Sequence, residues 1–270
     1  MMRGNGRLLG LAVAAVLGVA GCATMPGMAP GVSGAAVRPL SDAPPATVAE
    51  ARAKVNVDLG MAYLEVGRFD VALDEARTAL AHDSGYAPAF HLLGLVFMLI
   101  EDTNAARENF LRALRSAPGD PEFNNSYGWF QCVNGEGREG LERLVAAARN
   151  PYYRFPSRAY TNAGLCHLRL NEDDQAAEQF RRALTMDPGN AQALYHLAAI
   201  AYRGSDFVTA RQHLVELHQR REPTAESVWL GLRTERRLGN REAEARYAAQ
   251  LRGRFAESPE YQSMLQGRYE

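Results

Sequence analysis

The stretch "FHLLGLVFMLIEDTNAARENFLRALRSAPGD", residues 90–120, is written again as "YTNAGLCHLRLNEDDQAAEQFRRALTMDPGN", residues 160–190. Gly94, Ala106, Phe110, Ala113 and Pro118 return as Gly164, Ala176, Phe180, Ala183 and Pro188, each 70 residues later. Between these copies the step is 34, from Gly60 to Gly94 to Gly128 and again from Gly164 to Ala198. A two-residue insertion near "NPYYRFPS" (150–157) explains why 70 exceeds twice 34, and the last step, Ala198 to Gly231, is one residue shorter. Self-similarity at this period means a stack of small supersecondary units, none of which can bury its apolar face alone.

The pattern inside each unit is Leu-Gly, an aromatic three residues later, then Ala, Phe, Ala and Pro, and it resembles the tetratricopeptide repeat (TPR). That resemblance implies an all-α fold, a superhelical solenoid of about six helix-turn-helix repeats. Gly or Ala at the eighth and twentieth positions lets paired helices approach to about 8 Å. Phe110 and Phe180 fill the space beside them, and Pro118 and Pro188 stop the second helix. The repeats are expected at 53–86, 87–120, 121–154, 157–190, 191–223 and 224–257, followed by a tail at 258–270. Repeat three is the most degenerate, with Gly140 where Ala is expected.

Ahead of the repeats, "LLGLAVAAVLGVAGCATMPG" (8–27) is apolar up to Gly21, then meets Cys22. The run is short for a bilayer span, which takes about 20 apolar residues. Arg3 and Arg7 precede it, so residues 1–21 read as a secretory signal. Val19-Ala20-Gly21-Cys22 resembles the bacterial lipobox, which makes Cys22 the first mature residue and a lipid anchor. Ala23 in place of Asp implies sorting to the outer membrane, with the body in the periplasm. Several acyl chains hold a protein stably where one holds it marginally. Residues 22–52 are rich in Pro, Gly and Ala and read as a flexible tether.

The formal net charge of −1 falls by two when Arg3 and Arg7 leave with the signal, which is no footprint for nucleic acid. "GEGREG" (135–140) has the spacing of a dinucleotide motif but falls between two helices of one repeat, so it reads as a loop. His213 and His218 are five apart and share no helical face, and His167 has no companion ligand. The Arg- and Glu-rich stretch 231–246 reads as a salt-bridged surface. Neither catalysis nor a cofactor, metal or small-molecule substrate is indicated.

Cys132 and Cys166 fall on the first helices of adjacent repeats, which lie side by side. In an oxidising compartment they are expected to form a disulfide, the alternative being two buried thiols. In such a solenoid the first helices line the inner curve, with repeat positions 2, 5, 9, 12 and 13 facing it. These give Val57, Met61 and Leu64 in repeat one, then His91, Leu95, Met98 and Leu99 in repeat two. Repeat three offers Asn125 and Trp129, and repeat four Thr161, Leu165 and Leu168. Tyr195, Tyr202, Val228 and Leu232 complete the set. Most are apolar, so the expected partner is a polypeptide that buries apolar side chains, with Trp129 and the tyrosines as anchors.

"FNNSYGWFQCVNGEG" (123–137), "ARNPYYRFPSRAYTNAGLC" (148–166) and the tail "SPEYQ" (258–262) resemble the type IV pilus biogenesis and stability lipoproteins of the PilF/PilW family. The likeness runs from about residue 53 to the end. Ser126 departs from the family's Asn-Asn-Tyr-Gly and shifts which Asn is expected to face out. The resemblance implies a pilotin-like lipoprotein, hung from the outer membrane by Cys22, whose groove binds the pilus secretin subunit or another pilus-assembly protein. The alternative is a TPR scaffold lipoprotein serving barrel-protein assembly or cell-wall synthases.

Overall fold

The computed structural model describes residues 36–269. The expected signal peptide, Cys22 and the first part of the tether lie outside them. Among the described residues there are thirteen α-helices, one 3-10 turn at Leu40–Asp42, and no strand.

Twelve helices form six antiparallel pairs. Repeat one is α1 (Val48–Glu65) with α2 (Phe69–His82), and repeat two is α3 (Ala87–Leu99) with α4 (Thr103–Ser116). Repeat three pairs α5 (Pro121–Val133) with α6 (Gly137–Arg149), and repeat four α7 (Pro156–Arg169) with α8 (Asp173–Met186). Repeats five and six are α9 (Ala191–Arg203) with α10 (Phe207–Arg220), and α11 (Ala225–Arg237) with α12 (Arg241–Arg254). A last short helix, α13 (Pro259–Leu265), packs on both α11 and α12. That is where the first helix of a seventh repeat would sit, so α13 caps the stack.

One left-handed residue closes the turn within each pair: Gly67, Glu101, Gly135, Asn171, Ser205 and Gly239, with φ between 59 and 88°. The spacing of these six is 34 throughout, except for the 36 that spans the insertion. Only three are glycine, so the turn is held by the helices it joins as much as by its own residue.

The core repeats one contact. A Cβ on Gly94 would lie 2.6 Å from the Phe110 ring, on Gly164 2.6 Å from Phe180, and on Gly231 2.6 Å from Tyr247. Each small residue is therefore the socket of an aromatic sixteen positions later. Repeat three departs from this. Gly128 faces the Gly140 carbonyl, and a Cβ on Gly140 would meet the Gly128 oxygen at 2.5 Å and the Cys132 sulfur at 2.7 Å. Cys132 is joined to Cys166 of the next repeat, with Cα atoms 5.6 Å apart. The degeneracy of repeat three thus makes room for a sulfur. Gly140→Ala should cost about 1–3 kcal/mol through overpacking, seen as a lower urea midpoint, whereas Gly135→Ala in the neighbouring turn meets no atom within 4 Å and pays only for its backbone angle.

The tether ends earlier than 52. Thr47 caps α1 by accepting the Glu50 N–H, and the Glu50 carboxylate accepts the Ala46 N–H at 2.7 Å. Helix therefore begins at Val48. Residues 37–42 are packed on the solenoid, with Pro39 buried and Leu40 against the first core cluster. Charges of the 231–246 stretch pair as the sequence suggests, Arg236 and Arg241 with Glu244 and Arg246 with Glu242.

Candidate protein-binding face

α1, α3, α5 and α7 pack on one another in turn, as do α9 and α11, while no second helix makes comparable contact with the next second helix. The stack therefore closes on the side of the first helices, which is its inner curve. Position 9 carries Met61, Leu95, Trp129 and Leu165 in repeats one to four, and position 12 carries Leu64, Met98, Leu168 and Tyr202 in repeats one, two, four and five. All are half-buried, rooted in the core yet open on one side. Met61, Leu64, Leu95 and Met98 lean on the core of repeats one to three. Trp129 leans on the cluster of Cys132, Leu144 and Cys166, and Leu165 and Leu168 on that of repeats three to five. Tyr195 is also half-buried, its ring edge-on to His196 at 5.2 Å, and Tyr202 meets Phe207 at 5.4 Å.

Position 5 is different and corrects the sequence reading. Val57, His91 and Asn125 are interior, at 7, 4 and 4 % exposure, as are Thr161 and Val228. Apart from the half-buried Tyr195, position 5 is interior, and His91 and Asn125 bond across to the neighbouring first helix. The His91 Nε2 meets the Ser126 hydroxyl at 2.8 Å, and the Asn162 side-chain amide donates to the Asn125 Oδ1 at 3.1 Å. Burial pushes the His91 imidazole down to about 3, so it stays neutral near pH 7. Nor does either asparagine of "NNS" face out. Asn124 donates to the Pro118 and Asp120 carbonyls and accepts from Arg143 at 3.0 Å. The pairs His91–Ser126 and Asn125–Asn162 form a polar seam between repeats two, three and four. Leu232, a position 9 residue, is also buried, because Tyr261 and Met264 of α13 cover its cluster. Leu99 at position 13 is exposed.

The histidines set aside in the sequence have structural partners: His167 lies 2.8 Å from Glu172, and His218 2.9 Å from the Ser227 hydroxyl. Sequence reasoning missed the lip of the inner curve, at the N-terminal ends of α1, α3 and α5. There Asp120, fully buried, caps α5 through the Glu122 and Phe123 N–H groups and also accepts the Leu40 N–H at 2.7 Å. Burial pushes its carboxyl above the usual carboxylate range, against those three hydrogen bonds. The inserted residues build an elbow beside it. Tyr153 is buried, and Arg158 bridges its hydroxyl at 3.0 Å to the Glu122 carboxylate at 2.6 Å.

Stacked helix pairs leave a half-buried apolar stripe along the inner curve, and the repeat itself is recognisable: the tetratricopeptide repeat profiles match residues 57–129, 157–190 and 174–225. The chain is 30% identical over 206 residues to the type IV pilus assembly protein PilF of Pseudomonas aeruginosa, across 76% of this chain and 82% of that one. A solved structure from functional characterisation of P. aeruginosa pilF superposes with a TM-score of 0.74 at 28% identity, over 82% of this chain and all of that one. PilW, described as a widely conserved type IV pilus biogenesis factor, superposes with a TM-score of 0.72 at 26% identity, over 79% of this chain and 98% of that one. The chain belongs to the PilF/PilW family of TPR proteins of type IV pilus biogenesis.

Proposed function

We propose that this protein is an outer-membrane lipoprotein that binds the type IV pilus secretin subunit and promotes its localisation and multimerisation. The observation that carries the reading is the stripe of Met61, Leu95, Trp129 and Leu165 on four consecutive first helices, half-buried and apolar. Such a stripe takes the apolar side chains of an extended or helical segment, with Trp129 the largest anchor. Its charge-poor character argues against capture of an acidic tail. Membership of a pilus biogenesis family narrows the partner to the pilus machinery, and the secretin is the component that must reach the outer membrane, where the lipid on Cys22 would hold this protein. No bond is made or broken: the work is binding and placement.

Cys22→Ser should leave the mature solenoid folded but move it from the membrane fraction to the soluble periplasmic fraction. Secretin multimers in the outer membrane should then fall. Multimers at the normal level and place, with the variant fully soluble, would remove the anchor from the account.

A further inference from the structure

The residues just before α1 are bound to the solenoid as a ligand would be. Residues 37–42 cross the lip of the inner curve, and fixed polar side chains read their main chain. Asp120 accepts the Leu40 N–H at 2.7 Å, Asn150 donates to the Val37 carbonyl at 2.9 Å, and Lys54 donates to the Ser41 carbonyl at 2.9 Å. Pro39 is buried and Leu40 packs against the core. The charged ends are matched too, with the Arg38 guanidinium 5.0 Å from the centre of the Tyr152 ring and Asp42 3.4 Å from Arg154. Main-chain reading by preset donors and acceptors, with one pocket for Pro-Leu, is how receptors bind extended peptides.

The track does not end with the strap. A gap of about 50 Å³ lies between Pro39, Asp42, Glu122 and Tyr153, walled by Arg154 and Phe155. Arg154 and Phe155 also wall a larger cavity of about 380 Å³, which continues past Arg158 and Asn162 to Asn190. The strap fills one end of a longer furrow.

We propose that this lip is a second peptide-binding site, separate from the apolar stripe, which Arg38–Asp42 closes in cis. Its occupant in trans is an extended partner segment of the same chemistry: a basic residue, proline, an aliphatic residue, and an acidic residue two positions beyond. Covalent attachment gives the strap a high effective concentration. A partner displaces it by running on into the cavity at Asn162 and Asn190, which the strap leaves open. The proposal stands apart from the identity of the pilus partner and does not need the secretin.

The test uses a fluorescent peptide of residues 36–47, AVRPLSDAPPAT, titrated by anisotropy onto the chain from residue 23 onward. Leu40→Asp, outside the repeats, loosens the strap in cis. The loosened chain should bind the peptide at least about tenfold more tightly than the unsubstituted one, as release of a cis competitor requires. Adding Asp120→Ala to the loosened chain should weaken binding about tenfold, the loss of a hydrogen bond to a charged acceptor. Asn150→Ala, which removes the donor to Val37 together with the acceptor of the Tyr152 N–H in the turn after α6, should weaken it as well. No binding to a helical Leu40→Asp chain would overturn the proposal. So would equal binding with the strap intact, or indifference to both Asp120→Ala and Asn150→Ala.

Discussion

Phe110→Ala will lower the unfolding free energy by about 3–5 kcal/mol, the cost of emptying a fully buried aromatic site. Phe110 is inaccessible to solvent and its ring seals the socket left by Gly94. It also meets Tyr127 at 5.9 Å and Phe130 at 5.6 Å, both on the first helix of the next repeat. The residue therefore works at two levels, closing its own helix pair and joining repeat two to repeat three. In a solenoid, stability is close to a sum of repeat and interface terms. Damage here should split the urea transition into two, with repeats one and two melting first. Leu111, the next residue, is exposed at 36%, and Leu111→Ala should cost under about 1 kcal/mol. Equal losses for the two substitutions would show that the Gly–Phe contact does not hold the stack.

Reducing the oxidised chain should cost about 3–4 kcal/mol at the junction of repeats three and four. The bond between Cys132 and Cys166 closes a loop of sequence separation 34, and that loop entropy is returned to the unfolded chain on reduction. The effect should read as a lower urea midpoint in excess thiol, with little change in far-UV circular dichroism of the native protein. The double variant Cys132→Ala/Cys166→Ala should be insensitive to thiol and resemble the reduced chain. An unsubstituted protein with the same midpoint in both redox states would mean that the pair does not lock the junction.

The period of 34 was enough to read six helix pairs, because a small residue must recur where paired helices approach closely, in three repeats against an aromatic sixteen residues on. The depth of each inward residue was harder to read. Helical phase says that position 5 points toward the inner curve, but whether it stops at the surface depends on the neighbouring first helix. His91 and Asn125 turned out to be bonded across that contact, to Ser126 and Asn162. Leu232 was hidden by α13, a helix of the tail that carries no repeat signature. The start of α1 had a legible signal in Thr47-Val-Ala-Glu50, a capping pattern that sits inside the Pro-rich composition. The strap had none. Its partners Asp120 and Asn150 stand 80 and 113 residues away from the groups they bind, and no local pattern encodes such contacts.

The most direct test of the inner curve is site-specific photocrosslinking in piliated cells, with p-benzoylphenylalanine placed at Leu95, Trp129 or Leu165 and, as outer controls, at Leu111 or Arg181. Adducts containing the secretin subunit are expected from the three inner positions and not from the two outer ones. Inner positions that yield no adduct while the protein still supports piliation, or outer positions that yield as much, would contradict the claim that this face holds the partner.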